Sequence, residues 1–501
     1  MSKESILVTG ATGYIGSRLI PQLLYKGYSV RALVRSKEKL HYKPWFTHPY
    51  LEVVEGDLFD LQSLLFAVKN CRAVYYLVHS MNAQIRDFIS ADREAALNLA
   101  GAAEQEGVGR IIYLSGLGED NPNLSKHLRS RAEVGRILQN SAVPTTVLRS
   151  AIILGSGSAS FELIRFLTER MPIVFAPLWV KTLSQPIAIS NVLEYLAGCL
   201  ENPQTAGQTY DIGGPDVLRY EDIFRIYSQI AGLPPRFILK LPYLSPRFLS
   251  KCAERITPVP AALSEPLIEG MHNPVICQDI RIQEIIPQDL LTCRQAITRS
   301  LQTLCRDRRQ NTWLLSGKPN PPEWFIQGDG YLAEKVVLEA SYRMLLKGTS
   351  TQFWPLVEGI GGTRGWFGTD FLWDIRGLMD WLLGGNTWKQ QRRNNSRLQE
   401  GDSLKYWRVL EIKVPHVLLL LSEMKLPGDA TLEFKLRDRS EQEVEVVLTV
   451  RFLPKGILGL LYWHLFYKIH KRVIKNMLLN MARSFNRTII LSPQFEQNNY
   501  E

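Results

Sequence analysis

Three glycines at fixed spacing, placed directly after a short apolar run, restrict the fold of this chain more than anything else in it. Residues 5–9 read as a strand, and Gly10-Ala11-Thr12-Gly13-Tyr14-Ile15-Gly16 follows and opens a helical pattern over 14–26. A strand that turns into a helix within a few residues needs glycine where the backbone bends and where helix and strand approach. Gly10 permits the tight turn, and Gly13 lets backbone N–H groups reach a pyrophosphate at the helix N-terminus. Gly16 allows close helix–strand packing. In the first βα turn of the chain, Gly10, Thr12, Gly13, Tyr14, Ile15 and Gly16 are therefore expected to cradle a dinucleotide, the alternative being a glycine turn that holds nothing.

The alternation continues with strands at 29–34, 51–54, 73–78, 110–115 and 145–149 and helices at 60–69, 83–105 and 126–140. This pattern predicts a Rossmann-type, doubly wound parallel α/β sheet with its ligand at the carboxyl ends of the strands. Where an NAD site places an acid at the end of the second strand, this chain has Val34-Arg35-Ser36. A guanidinium there suits a 2′-phosphate through bidentate charge-assisted hydrogen bonds. NADP(H) is thus the preferred cofactor and NAD(H) the alternative, with Arg35 as reader and Arg31 or Lys37 as further candidates. The competing view of Arg35 is a solvated strand-end residue.

With 501 residues, two to four domains are expected. Nine of the eleven tryptophans lie at or after Trp313, whereas no cysteine follows Cys305, which suggests two units of different origin. The division is 1–305 with a small substrate lobe at 216–275, a linker at 306–330 rich in charge and proline, an α+β unit at 331–490, and a tail at 491–501. In the second unit, Ser403 to Ile412, His416 to Met424, Thr431 to Leu436 and Val444 to Phe452 read as an antiparallel meander, closed by one helix at 457–484. Such a sheet can curl around an apolar ligand.

Six cysteines without close pairing imply reduced thiols, and no segment reads as a signal peptide, so a cytoplasmic setting is expected. Lys+Arg 59 against Asp+Glu 49 gives +10, but the bases are scattered. Neither a groove-reading module nor a ligand cluster appears, so no nucleic acid and no metal is expected. The late apolar run from Ile457 to Tyr467 is too short to span a membrane. Its helix, with Ile457, Leu460, Leu461, Leu465 and Ile469 beside Lys468, Lys471, Arg472 and Lys475, suits either peripheral membrane contact or packing across the sheet.

The motifs Thr9 to Gly16, Glu55-Gly56-Asp57-Leu58, Ile111 to Leu117 and Asp211-Ile212-Gly213-Gly214-Pro215 resemble the atypical short-chain dehydrogenase/reductases of the NmrA-like, NAD(P)-binding type. The resemblance implies that Asp57, with Leu58, meets the adenine. It also implies that Val78, His79 and Ser80 wall the nicotinamide ribose. Gly365-Trp366-Phe367, Leu372 to Gly377, Leu383-Gly384-Gly385, Trp407-Arg408-Val409, Glu423 to Gly428 and Leu461-Tyr462-Trp463 resemble a domain of unknown function often fused to such reductases. That domain is similar to helix-grip folds of the Bet v 1 and START kind, which hold hydrophobic ligands, and the resemblance favours packing for the final helix.

In typical members of the reductase family, a Ser or Thr ends the fifth strand and a Tyr-x-x-x-Lys pair lies on the next helix. Ser115 matches the first position, but the second reads His127-Leu128-Arg129-Ser130-Arg131. His127 and Arg131 fall at i,i+4 on one helical face. Ser115 and His127 would then polarise the substrate as Arg131 holds the ribose. The opposing view has His127 capping the helix and the site binding cofactor without turnover. Three further features stay open. Arg149 faces the cleft or forms an ion pair, Gly155-Ser156-Gly157-Ser158 is a lid or an ordinary connection, and Asp374 and Arg376 beside Trp373 line a cavity or pair with each other. The expected function is an NADP(H)-dependent oxidoreductase of an apolar carbonyl or conjugated small molecule. The alternatives are a non-catalytic NAD(P)-binding sensor or assembly protein and a hydrophobic-ligand carrier working through the C-terminal unit; oligomeric state is left unassigned.

Overall fold

Short β-branched runs separated by amphipathic helices form the first unit of the computed structural model. The structure describes residues 5–41, 43–78, 88–118, 124–242, 244–310, 337–362, 365–368, 370–382, 398–404, 406–486 and 488–496. The elements in chain order are β1 (Ser5–Val8), α1 (Gly16–Tyr25), β2 (Val30–Val34), β3 (Leu51–Glu55), α2 (Leu61–Val68), β4 (Cys71–Tyr76), α3 (Phe88–Gln105), β5 (Arg110–Gly116), α4 (Lys126–Gln139) and β6 (Thr145–Ser150). With the strand Thr209–Ile212 they make a seven-stranded sheet ordered Thr209–Ile212, β6, β5, β4, β1, β2, β3, every pairing parallel. The order reverses between β1 and β4, where a doubly wound sheet opens its ligand crevice. Leu19, Ile20 and Leu23 of α1 bury one face of the sheet, and Leu64, Ala96, Leu99 and Val134 bury the other.

A roof follows β6. It begins with α5 (Ala159–Arg170) and the strand Ile173–Pro177, which pairs in parallel with Phe237–Leu241. The helices Tyr220–Ile230, Pro246–Ile256 and Ala261–Gly270 complete it. The lobe expected at 216–275 therefore also recruits residues 159–177, because α5 packs on the later helices through Leu163, Val259 and Ile268.

The chain divides into two compact units, 1–303 and 304–501. The expected linker start at 306 is corrected, since the helix Cys293–Gln310 runs through it; residues 311–330 lie outside the described residues.

In the second unit the antiparallel sheet has the order Ser403–Leu404, Trp407–Lys413, Val417–Ser422, Gly428–Ser440, Glu443–Pro454, Leu338–Lys347 and Ile489–Glu496. The expected tail at 491–501 is thus corrected: its first residues belong to a strand paired with Leu338–Lys347, while 497–501 lie outside the described residues. The helix Gly456–Phe485 packs on the sheet through Trp463, Ile474, Met477, Leu478 and Met481, sharing a core with Phe434, Leu448 and Phe452. The apolar positions singled out from sequence lie on another face, with Leu461 59% and Leu465 73% exposed. No helix among the described residues is long and apolar enough to cross a membrane.

Candidate functional site

The glycine turn sits at the topological switch. Gly10 has φ 67°, and a Cβ there would lie 2.6 Å from the Leu77 carbonyl oxygen just beyond β4, so no other residue fits. Gly16 is buried at the start of α1, whereas Thr12 and Gly13 are exposed at the helix N-terminus, where partial positive charge collects. Val8 pairs with Ala32, so Arg35 lies just past the end of β2 on the same sheet edge as the turn. Its guanidinium is exposed and has no partner among the described residues. Arg31, by contrast, is spent on Glu52 at 2.7 Å and on the Ala67 and Lys69 carbonyls, which removes it as a phosphate reader. Asp57 follows β3; its Oδ1 accepts from the Phe59 N–H at 3.2 Å, and the neighbouring Leu58 is buried. Val78 is described, but His79 and Ser80 lie outside the described residues.

Ser115, His127 and Arg131 line one cavity of about 300 Å³ together with Tyr14 and Ile15 of the turn. The sheet supplies Ser115 from the end of β5, and α4 supplies the other two one turn apart. The cap of α4 is Ser125, whose hydroxyl accepts from the Leu128 N–H at 3.3 Å, so capping is not the role of His127. Arg131 donates to the carbonyls of Val78 (3.3 Å) and Leu114 (3.1 Å), fixing its guanidinium at the carboxyl edge. Ser115 donates to the Arg131 carbonyl at 3.3 Å, and Tyr113 donates to the same oxygen at 3.1 Å.

Apolar residues of α5 and the later roof helices, among them Leu163, Ile164, Phe224 and Met271, close the cavity. Sequence reasoning passed over Tyr220 as a site residue, yet it too lines the cavity, and burial pushes its phenol up to about 12. Burial also raises the Tyr14 phenol well above its usual range, and its hydroxyl has no hydrogen-bond partner among the described residues. A Cβ on Gly155 would come within 2.0 Å of that hydroxyl. The segment 155–158 is accordingly a packed connection: Glu162 accepts from the Gly157 N–H at 2.8 Å, and Ser158 caps α5. Arg149 pairs with Asp211 at 2.6 Å, clamping β6 to the last strand of the sheet.

The second unit holds a separate cavity of about 200 Å³, lined by Trp373, Arg376, Trp407, Phe452, Trp463 and His470 among others. Asp374 accepts from the Tyr406 hydroxyl at 3.1 Å. Arg376 makes no ion pair among the described residues; its Nη2 donates to the Lys425 carbonyl at 3.3 Å.

Residues 10–165 match the NAD(P)H-binding family model, and residues 332–477 match a protein family of unknown function, DUF2867. The first unit is an NAD(P)-binding domain of Rossmann type. Its relatives include NADH dehydrogenase (ubiquinone) 1 alpha subcomplex subunit 9, mitochondrial, of Rattus norvegicus, 25% identical over 48% of this chain and 64% of that protein. Photosystem II assembly factor Ycf39 of Trieres chinensis is 24% identical over 47% of this chain and 74% of that one. Divinyl chlorophyllide a 8-vinyl-reductase, chloroplastic, of Cucumis sativus is 24% identical over 46% of this chain and 58% of that protein. The chain therefore spans less than two thirds of the length of several curated relatives it matches. The second unit shares an antiparallel sheet and one long helix with the expected architecture; its match is to the family of unknown function.

Proposed function

We propose that the first unit is an NADP(H)-dependent reductase of an apolar carbonyl or conjugated small molecule. The observation that carries this reading is convergence: Tyr14 and Ile15 of the dinucleotide turn share one largely apolar cavity with Ser115, His127 and Arg131. Thr12 and Gly13 would hold the pyrophosphate, Asp57 the adenine and Arg35 the 2′-phosphate. The bound dinucleotide supplies a hydride. His127 delivers a proton to the substrate oxygen, and Arg131, already fixed by two carbonyls, presents positive charge to the ribose. Ser115 assists after turning its hydrogen from the Arg131 carbonyl to the substrate. The five described cysteines are unpaired, which suits the cytosol as the working compartment.

The test is a titration of NADPH and NADH into the wild type and Arg35→Ala. A lost bidentate contact of about 2 kcal/mol weakens NADPH roughly 30-fold and leaves NADH nearly unchanged. Tighter NADH binding in the wild type would reverse the cofactor assignment. His127→Ala, assayed on apolar enones and quinones, should then keep NADPH affinity and lose turnover.

One observation favours a second reading, a cofactor-binding sensor or assembly protein. The Ser115 hydrogen and two Arg131 donors are already satisfied by backbone. NADPH binding without turnover of any acceptor would select it. For the second unit, the apolar cavity supports carriage of a hydrophobic ligand.

A further inference from the structure

The cavity of the second unit contains polar atoms that the protein itself leaves unanswered. Its walls are aromatic and aliphatic, yet Arg376 Nε, His470 Nδ1 and Trp407 Nε1 are buried there without a hydrogen-bond partner among the described residues. A buried donor left unpaired costs about 1–3 kcal/mol, more when charged, so three at one cavity favour a ligand that answers them. Among the described lining side chains Arg376 alone is permanently charged, and no carboxylate lines the cavity. Its Nη2 is held by the Lys425 carbonyl, and its guanidinium lies 5.9 Å over the Tyr462 ring, which orients the group while leaving Nε uncommitted. Burial and the Arg376 charge lower the imidazole of His470 to about 4, so at neutral pH the cavity carries one positive charge.

We infer that this cavity binds an apolar monocarboxylic acid, its hydrocarbon against Trp373, Phe452 and Trp463 and its carboxylate on Arg376, with His470 and Trp407 as further donors. A single guanidinium matches a monoanion with two coplanar oxygens. A phosphate monoester brings a second charge for which the lining offers no cation. Ile375 and Ile469 line the cavity and are 43% and 48% exposed, so its mouth opens to solvent beside them. The inference rests on the ligand-carrying reading of the second unit and is independent of the nucleotide site.

The experiment uses the full chain and follows fluorescence of the lining tryptophans while decanoic acid, decan-1-ol or decyl phosphate is added. Decanoate should bind at least about tenfold more tightly than decanol, the size of one charge-assisted contact. Arg376→Met should erase that preference, and Arg376→Lys should retain part of it. Ile469→Trp, at an exposed position that leaves the core untouched, should obstruct entry and weaken all three probes. Should Arg376→Met fail to fold, the wild-type ranking and Ile469→Trp still decide. Equal binding of acid and alcohol, tighter binding of the phosphate, or a preference that survives Arg376→Met overturns the carboxylate assignment while leaving apolar carriage standing. Binding of none of the probes overturns both.

Discussion

The two cavities of this chain solve opposite problems. In the first unit two polar groups at the cavity wall are answered by the protein, Arg131 by the Val78 and Leu114 carbonyls and Ser115 by the Arg131 carbonyl, while the buried Tyr14 hydroxyl has no partner among the described residues. In the second, Arg376 Nε, His470 Nδ1 and Trp407 Nε1 are buried without partners among the described residues. The carboxyl edge of a parallel sheet offers backbone carbonyls to nearby donors, as Val78 and Leu114 offer theirs to Arg131. An antiparallel sheet covered by one helix pairs its carbonyls internally and leaves side-chain donors to whatever enters. The two sites differ accordingly: the first has its guanidinium fixed by backbone carbonyls, and the second would be completed by a ligand.

The contrast is most severely tested at the glycine turn. Gly10→Ala forces a Cβ against the Leu77 carbonyl at positive φ, so destabilisation above about 3 kcal/mol and loss of NADPH binding are expected in denaturant melts and titration. Unchanged stability would show that the turn is not the rigid element described here. Next in size is Phe452→Ala, which opens the shared core of the second unit and should cost about 3–5 kcal/mol without altering nucleotide affinity.

A pH effect of about 1–3 kcal/mol should follow from His470. Its folded value near 4 lies below the ordinary 6.5, so the unfolded chain binds more protons between those values. Stability is full above about 6.5 and falls as pH drops toward 4. The like charge of Arg376 opposes protonation, and the neighbouring rings of Tyr462 and Trp463 offer no counter-charge. His470→Phe should flatten that slope, and an unchanged slope would remove His470 as its source. The smallest effect belongs to Ser115→Ala, about 1 kcal/mol in a melt, because one neutral hydrogen bond to the Arg131 carbonyl is lost. A larger fall in turnover than in stability would give the hydroxyl a chemical role.

The sheet of the first unit was legible because most of β1 to β6 are separated by helical patterns and each strand is dominated by apolar residues. The strand Thr209–Ile212 escaped, being short and carrying Asp211, which is buried only because Arg149 neutralises it across the strand pair. In the second unit, Leu338–Lys347 was hidden by Glu339, Arg343 and Lys347, and Ile489–Glu496 by Pro493. The i,i+4 spacing placed His127 and Arg131 correctly on one face. Local spacing carries no such signal for Arg376 and His470, which come from different helices and meet only through tertiary packing. Sequence made Arg35 the phosphate reader with Arg31 as a further candidate; Glu52 of β3 and carbonyls at the end of α2 claim Arg31 and leave Arg35.

The strand Leu338–Lys347 lies between Glu443–Pro454 and Ile489–Glu496. On a translating ribosome it emerges long before either neighbour exists, and it presents two bare backbone edges until Pro454 has been made and one until Glu496 has. The seven-stranded parallel sheet has every strand in place by Ile212, and its unit ends near residue 303, so it can fold in the meantime. During synthesis, therefore, the interval between residues 347 and 496 is when this chain most needs a chaperone to shield an open edge.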